Sequence, residues 1–308
     1  MILHDAETDG HAAEGHPESP ARLRAIAASI AADPRLALVP RAAPTPVDPS
    51  RLELVHTPAH IARVETASRG GGAWFDADTY CAPESYAIAR RACGACTTGV
   101  EIVVDGRART AFALVRPPGH HATPQTAMGF CLFNSLAVAV RVAQRELGVG
   151  RVAIVDIDVH HGNGTQDVFY DDPTVLYCSL HQLPHYPGTG RARETGSGAA
   201  EGTTLNCPLA PGTGPAAWLA ALEGQVLPAV ERFEPELICV HAGYDAHVAD
   251  PLAELRLTTD TYRTIATRLG AVAARACGGR MLWALEGGYD LPALADSVAA
   301  TLRVLAAG

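Results

Sequence analysis

The sequence predicts an α/β fold: a single domain, residues 1–308, with a mostly parallel central sheet flanked by helices on both faces. Short apolar runs alternate along the chain with longer segments of helical spacing, which is the order of elements found in parallel sheets. The run from Val152 to Val155 shows no alternation of apolar and polar residues, as expected of a strand covered on both faces. Functional sites of parallel sheets lie beyond the carboxyl ends of the strands, so the active site is expected at that edge.

Each predicted strand is a short apolar run bounded by polar or turn-forming residues. The predicted strands are residues 1–4, 111–116, the run that begins at Arg151, 175–181, 204–209, 237–241 and 280–285. The predicted helices are residues 20–32, 49–68, 84–104, 133–147, 164–170, 215–233, 258–277 and 291–307. The segment 49–68 is predicted as one helix although Pro58 lies inside it, and loops are predicted at 70–83 and 182–202.

The composition is that of a soluble globular protein: 48% of the 308 residues are hydrophobic and 19% are charged. No apolar run is long enough to cross a membrane, and the amino terminus does not resemble a signal peptide, so a cytoplasmic protein without membrane partners is expected. The eight cysteines lie mostly in apolar segments, which is typical of a reducing compartment. Cys93 and Cys96 form a C-x-x-C in an alanine-rich helical segment without a second pair, which favours a structural role.

The basic residues exclude several kinds of chemistry. All 24 of them are arginine, so the chain has no lysine for a Schiff base and cannot be a pyridoxal phosphate enzyme or a lysine aldolase. The glycine-rich segment 188–198 cannot be a phosphate-binding Walker loop, because that loop requires a lysine. The net charge of −9 argues against nucleic acid as a partner, although solubility alone explains the charge equally well.

Unusual polar segments follow four of the predicted strands: residues 117–121, 156–162, 241–245 and 286–290. If the strands are parallel, all four segments meet at one edge of the sheet. Asp158, His160 and Asp245 lie in these segments, and carboxylate and imidazole groups both bind zinc. Three protein ligands with an open position are typical of a catalytic zinc site. The alternative is a strand end whose charges simply meet solvent.

The remaining polar residues suit hydrolysis. His120 and His121 are adjacent, and two neighbouring imidazoles offer a general base and a second electrostatic group. Tyr289 follows two glycines, and a tyrosine hydroxyl can stabilise an oxyanion. Taken singly, a histidine pair is usually polar surface and a Gly-Gly-Tyr is usually a turn. Their joint occurrence at strand ends favours a catalytic site.

Several long motifs in this order resemble the histone deacetylase-like amidohydrolases, a family that includes acetylpolyamine deacetylases and shares the arginase-like α/β fold. The motifs are GHPESPAR (15–22), RPPGHH (116–121), GFCLFN (129–134), DIDVHHGNG (156–164), YPGTG (186–190), AGYD (242–245) and EGGY (286–289). The resemblance covers nearly the whole chain. It implies a zinc-dependent hydrolase of linear amides, in which metal-activated water removes an acetyl or other small acyl group from the lysine side chains of proteins.

The resemblance also implies a role for each matched residue. One zinc ion would be bound by Asp158, His160 and Asp245. His121, oriented by Asn163, would act as general base and then acid; His120, held by Asp156, would stabilise developing charge; and Tyr289 would hydrogen-bond the acyl oxygen. The implied substrate-binding residues are Gly129, Phe130, Tyr186, Leu252, Gly288 and the rim residue Asp78. A structural K⁺ or Na⁺ site is implied at Asp156, Asp158, His160, Ser179 and Leu180, and Arg22 would line an inner cavity for product exit.

Two departures refine the expected chemistry. Asn163 stands where one branch of the family has aspartate, so the chain looks like the class II branch. Leu252 stands where polyamine-selective members have an acidic residue, which weakens the case for a polyamine substrate. Because no thiolate enforces zinc, Fe²⁺ or Co²⁺ could replace it.

Three rival interpretations remain open. The first keeps the chemistry but takes an acetylated polyamine or another small amide as its substrate. The second is an acyl-lysine-binding module without turnover, against which the intact His120, His121 and Tyr289 argue. The third is an arginase-like hydrolase with two metal ions, for which further acidic ligands would be expected. The sequence does not predict the oligomeric state.

Overall fold

The computed structural model describes residues 1–4 and 7–307. The strands in these ranges are β1 (Ile2–His4), β2 (Arg41–Ala42), β3 (Ala73–Trp74), β4 (Tyr80–Cys81), β5 (Thr110–Leu114), β6 (Val152–Asp156), β7 (Val175–Gln182), β8 (Thr204–Leu209), β9 (Leu237–Ala242) and β10 (Met281–Leu285). Eight of them form the main sheet in the order β2-β1-β5-β10-β9-β6-β7-β8, and all its described pairings are parallel. The predicted α/β fold with a mostly parallel sheet is therefore confirmed.

Helices flank both faces of this sheet. In the described residues they are α1 (Ala21–Ala32), α2 (Pro34–Ala37), α3 (Pro49–Leu52), α4 (Pro58–Arg69), α5 (Ser85–Val104), α6 (Ser135–Glu146), α7 (Asn163–Phe169), α8 (Pro215–Ala221), α9 (Leu227–Phe233), α10 (Thr259–Cys277) and α11 (Leu291–Ala307). Among the described residues, no helix is both long enough and apolar enough to span a membrane. The predicted single domain over 1–308 stays a prediction, and residues 5, 6 and 308 lie outside the described residues.

Alternate side chains of the strands enter two separate hydrophobic cores. On β10, Trp283 and Leu285 face one core, which also contains residues of α1 and α8 to α11, whereas Leu282 and Ala284 face the other, which contains residues of α3 to α6. Because side chains of a strand point alternately to opposite faces, both sets must be apolar. This explains the unbroken apolar runs in the sequence. The eight cysteines are all buried and free.

The four strands that carry polar segments at their ends are neighbours in the middle of the sheet, in the order β5-β10-β9-β6. Because these strands are parallel, their carboxyl ends lie along the same edge. The segments after Leu114, Asp156, Ala242 and Leu285 therefore converge, as the sequence predicted. The central strands are buried on both faces, so the site rests on the most rigid part of the fold.

The prediction of one helix over residues 49–68 is wrong. The chain forms α3, leaves the helical conformation, and begins α4 at Pro58. Proline disfavours the helical conformation of the residue before it, and it is tolerated in the first turn of a helix because that N–H has no intrahelical partner. Thr57 is accordingly the extended N-cap of α4, and its hydroxyl accepts a hydrogen bond from the His60 N–H at 3.3 Å. Pro58 thus begins a helix.

Two other predictions need correction. The helix predicted over residues 215–233 is interrupted, because a π-helical turn at Leu222–Val226 separates α8 from α9, next to Pro228. Proline has no N–H to donate, which disturbs the regular hydrogen-bond ladder. The loop predicted at 70–83 contains the short antiparallel hairpin β3–β4. This hairpin was not predictable from residue patterns, because its strands have only two residues each.

Candidate active site

Asp158, His160 and Asp245 come together at the carboxyl edge of the sheet, with one ligand-type atom from each within 4.8 Å of the others. The Nδ1 atom of His160 lies 3.0 Å from Asp158 Oδ1 and 3.1 Å from Asp245 Oδ2. Strand β6 ends at Asp156, so Asp158 and His160 converge in the loop that follows and not on an extended strand. One imidazole nitrogen and two carboxylate oxygens with an open side are a donor set that suits a catalytic divalent cation.

Backbone N–H groups fix the two carboxylates. Gly287 donates to Asp158 Oδ2 at 2.8 Å, and Val159 donates to Asp245 Oδ1 at 2.9 Å. The approach is close enough to require glycine: a Cβ atom at Gly287 would lie 2.0 Å from Asp245 Oδ2, and one at Gly243 would lie 2.2 Å from Asp158 Oδ2. Any larger residue at these two positions would displace the carboxylates.

The charges of this cluster favour the binding of a cation. Burial and the facing carboxylate of Asp158 raise the pKa of Asp245 to about 7. Burial alone would lower the pKa of His160, but its hydrogen bonds to Asp158 and Asp245 raise it to about 10. A bound divalent ion would remove the repulsion between the carboxylates and replace the imidazolium proton, which inverts both shifts. The residues therefore fit a metal site of the predicted composition.

His120 and His121 lie beside the cluster, both buried, with ring centroids 4.0 Å apart. His120 Nδ1 lies 3.1 Å from Asp156 Oδ2, an oxygen that also accepts the Tyr177 hydroxyl at 2.9 Å. Burial opposes the charged form of His120, but Asp158 and Asp156 overcome it and raise its pKa to about 10. His120 is therefore the cationic member of the pair.

His121 is held in the opposite state. Its Nδ1 lies 2.8 Å from Asn163 Oδ1, which is an acceptor, so that nitrogen carries the proton and Nε2 is free to accept one. Burial, His120 and His160 hold the pKa of His121 well below its usual range. Two adjacent histidines whose pKa values are driven apart are the arrangement expected of an acid–base pair.

These groups line a cavity of about 200 Å³, which also includes Tyr289. Burial raises the pKa of Tyr289 well above its usual range, so the hydroxyl stays protonated and can donate. The Arg22 guanidinium lies 5.0 Å from the centre of the Tyr289 ring. The Tyr289 N–H donates to Asp250 Oδ2 at 2.7 Å, and the sequence had not singled out Asp250.

The predicted substrate-binding residues largely surround the same cavity. Gly129, Phe130, Tyr186, Leu252 and Asp78 are all part of its lining. The two aromatic rings stand edge-on to Tyr289 and His121: the ring centroids of Phe130 and Tyr289 are 5.8 Å apart, and those of Tyr186 and His121 are 5.2 Å apart. Phe130 adopts a left-handed backbone with φ of 68°, an unusual conformation for a non-glycine residue. Its N–H donates to the Thr79 hydroxyl at 3.1 Å.

Other predicted residues lie behind the cavity. Arg22 is buried and donates to Gly288 O at 2.7 Å, to Glu286 O and to Glu18 Oε1. Ser179 and Leu180 are buried on β7, beside β6 and Asp156. Their assignment to a K⁺ or Na⁺ site, and that of Arg22 to product exit, stay predictions.

The sequence interpretation overlooked two histidines. His185 stacks on His160 with centroids 4.8 Å apart and lines the cavity. His241 is buried at the end of β9, where its Nδ1 lies 2.6 Å from Glu286 Oε1. A histidine at the end of an otherwise apolar run was a visible signal for His241, but its partner is 45 residues away and the sequence does not reveal the pairing.

The fold and the site define a parallel α/β protein with a metal-type cluster and a histidine pair at the carboxyl ends of its strands. A sequence model described as the histone deacetylase domain matches residues 16–305. The crystal structure of the HDA15 HD domain superposes with a TM-score of 0.92 at 40% identity, covering 99% of this chain and 88% of that one.

Curated proteins that are similar in sequence support the same family. Histone deacetylase 10, chloroplastic, of Oryza sativa is 44% identical over 96% of this chain and 70% of the relative. The histone deacetylase-like amidohydrolase of Pseudomonas aeruginosa is 42% identical over 91% of this chain and 74% of the relative. The chain belongs to the histone deacetylase family, as its motifs predicted, and this membership indicates a deacetylase, a hydrolase of amides.

Proposed function

We propose that this protein is a zinc-dependent deacetylase that removes acetyl or other small acyl groups from lysine side chains. The observation that carries the proposal is that the His120–His121 pair, Tyr289 and His160 line one cavity with aromatic walls, and that His160 also belongs to the cluster with Asp158 and Asp245. Asp158, His160 and Asp245 would hold the metal. When bound, the ion would polarise the acyl carbonyl and make water at the site more acidic.

His121 is the proton-transfer residue of the proposed mechanism. Its Nδ1–H donates to Asn163 Oδ1, which leaves Nε2 as the unprotonated nitrogen. Nε2 takes a proton from the attacking water as the new carbon–oxygen bond forms. The same nitrogen then gives the proton to the amine as the carbon–nitrogen bond breaks. The low pKa of His121 keeps the ring neutral and ready to accept at neutral pH.

His120 and Tyr289 stabilise the negative charge that develops on the acyl oxygen. His120 Nδ1 lies 3.1 Å from Asp156 Oδ2, a carboxylate outside the proposed ligand set, which favours a protonated His120 ring at the cavity. Tyr289 keeps its hydroxyl proton, because burial raises its pKa, and its O–H donates a hydrogen bond to the acyl oxygen. Donors that are already in position act most strongly where charge appears in the transition state.

The cavity favours a linear amine substrate. Phe130 and Tyr186 provide apolar walls for an alkyl chain, and Leu252 at the rim adds no charge that would attract a polyamine. Protein acyl-lysine is therefore the preferred substrate over an acetylated polyamine.

The proposal is tested by measuring turnover of acetyl-lysine peptides and acetylated polyamines side by side, with the metal content of the purified protein. Preferred hydrolysis of the peptides, together with about one zinc per chain, is the expected result. Faster hydrolysis of the acetylated polyamines would show instead that the protein is a deacetylase of small molecules. Tight peptide binding without hydrolysis by metal-replete protein would indicate an acyl-lysine-binding module.

A further inference from the structure

A closed ring of buried hydrogen bonds encloses the backbone of His120. Glu286 Oε2 accepts the N–H groups of Gly119 at 2.7 Å and of His120 at 3.3 Å. On the other side of the same residue, the carbonyl of His120 accepts the Thr165 N–H at 3.1 Å. Glu286, which directly follows β10, and Thr165 of α7 thus hold the two sides of one peptide segment.

His241 connects Glu286 to Thr165 and so completes the closed set of hydrogen bonds. Its Nδ1 lies 2.6 Å from Glu286 Oε1 and its Nε2 lies 2.9 Å from Thr165 Oγ1. His241, Glu286 and Thr165 are each fully buried, so water cannot replace a lost partner without entering the core. The His241 ring also lies near the His120 ring, with centroids 5.8 Å apart and planes tilted by 47°.

The hydrogen bonds that link Thr165, His241 and Glu286 can be assigned so that each donor faces an acceptor. The Asn134 side-chain amide donates to Thr165 Oγ1 at 2.9 Å. With the proton of a neutral His241 on Nδ1, the Thr165 hydroxyl donates to Nε2, and Nδ1–H donates to Glu286. Glu286 is then left to accept the two backbone N–H groups. Every polar hydrogen along this path has an acceptor, and such fully satisfied buried networks hold a single arrangement.

We propose that His241 is a positioning residue of the active site: through Glu286 and Thr165 it fixes the backbone from which His120 and His121 project. The inference rests on the proposed function only for its effect on turnover, since the positioning itself is a property of the protein without substrate. Groups that orient functional histidines typically change activity by about 10–100-fold when they are removed.

Two substitutions separate the contacts of His241. His241→Leu keeps a side chain of similar bulk and removes both nitrogens. His241→Asn places an amide N–H near the position of Nδ1, so it keeps the contact with Glu286 and loses the one with Thr165. Val240→Ala, on the same strand β9 but outside the ring, is the control for a general loss of stability.

The first measurement is amide hydrogen exchange of the segment around Gly119 and His120, in protein without substrate. Residues 117 and 118 are prolines and contribute no amide, so the Gly119 and His120 amides carry much of the segment's signal. His241→Leu should accelerate exchange there while leaving β7 (Val175–Gln182) unchanged, and His241→Asn should restore protection. Normal protection in His241→Leu, or equal acceleration in Val240→Ala, would overturn the proposal.

The second measurement is turnover of an acetyl-lysine peptide. His241→Leu should lower kcat by about 10–100-fold with KM within about a factor of two, because misplaced histidines impair the chemical step more than binding. His241→Asn should recover most of the rate, and failure to do so would refute the role of the Glu286 contact. If wild-type protein hydrolyses no acyl-lysine substrate but the exchange pattern appears, the proposed function fails and the positioning inference stands.

Discussion

At the scale of single residues, two adjacent histidines of the site differ in pKa because their partners differ. His120 and His121 are adjacent, yet carboxylates raise the pKa of the first to about 10, whereas burial and two nearby imidazoles hold that of the second low. The difference comes from their partners, Asp156 for one ring and Asn163 for the other. The motif predicted these pairs from the sequence. It did not predict their states, because charge and burial depend on groups brought together by folding.

Tyr289→Phe should reduce kcat about 10²–10³-fold, the usual loss for one donor to an oxyanion. KM for an acetyl-lysine peptide should change much less, because the hydrogen bond strengthens only as charge develops on the acyl oxygen. Steady-state kinetics provide the measurement. Tyr262→Phe is the matched control, since the Tyr262 hydroxyl is buried without a hydrogen-bond partner and lies outside the cavity. A Tyr289→Phe variant with wild-type kcat would refute the assigned role.

Asn163→Asp should move the acidic limb of the kcat/KM profile to higher pH. His121 must be neutral to accept a proton, so activity falls as the pH drops below its pKa. That pKa is low in the native protein, and a carboxylate next to Nδ1 would stabilise the imidazolium and raise it. Profiles of both proteins with one peptide, at fixed zinc and ionic strength, measure the shift. An unchanged acidic limb would show that residue 163 does not influence the pKa of His121. A shift to lower pH would contradict the electrostatic argument.

At the scale of elements, a short hairpin holds Phe130, in the wall of the cavity, in a backbone conformation that it would not adopt alone. The left-handed backbone of Phe130 costs about 1–3 kcal/mol and persists only when its surroundings impose it. The hairpin β3–β4 supplies that support through Thr79, whose own N–H donates to Asp76 Oδ1 at 2.6 Å. Strand and helix patterns in the sequence were predictable, but two-residue strands leave no periodic signal. The importance of this hairpin therefore became visible only in the structure.

Thr79→Val should raise KM for acyl-lysine peptides by up to about tenfold, with a smaller effect on kcat. The change removes the acceptor of the Phe130 N–H, and one buried hydrogen bond contributes about 0.5–1.5 kcal/mol. Thr79→Ser keeps the hydroxyl and should behave like the wild type in the same kinetic assay. Equal KM values for Thr79→Val and Thr79→Ser would show that the hydroxyl does not support the wall.

At the scale of the whole molecule, the sheet order decides where the chemistry lies. The strands β5, β10, β9 and β6 are adjacent although they are far apart in sequence, and Ile2 of β1 pairs with Phe112 of β5. Sequence patterns predicted parallel strands and a site at their carboxyl ends. They could not predict the order, because the apolar runs resemble one another and pairing is decided by the packing of the intervening helices.

Asp245→Ala should lose zinc and activity together, because it removes one of the three proposed ligands. Zinc should raise the Tm of the metal-free wild type by several degrees, since a ligand at about 1,000 times its Kd adds about 4 kcal/mol of stability. It should leave the Tm of the variant almost unchanged. Metal analysis and thermal unfolding with and without zinc are the measurements, and Asp171→Ala, on an exposed surface, is the control. Normal zinc content in Asp245→Ala would remove Asp245 from the ligand set.

Because all eight cysteines are buried, the native protein should resist thiol reagents. Burial also raises the pKa of the Cys81 thiol to about 11 and that of Cys96 to about 12, so the reactive thiolate is scarce. We expect almost no reaction of the folded protein with maleimide and complete reaction in denaturant. Partial labelling under native conditions, read by mass spectrometry, would then measure how fast each region opens. Cys81 reports on the hairpin β3–β4 beside the cavity, and Cys239 reports on β9 beneath the site. Rapid labelling of Cys239 in the native state would contradict the rigidity assigned to the central strands.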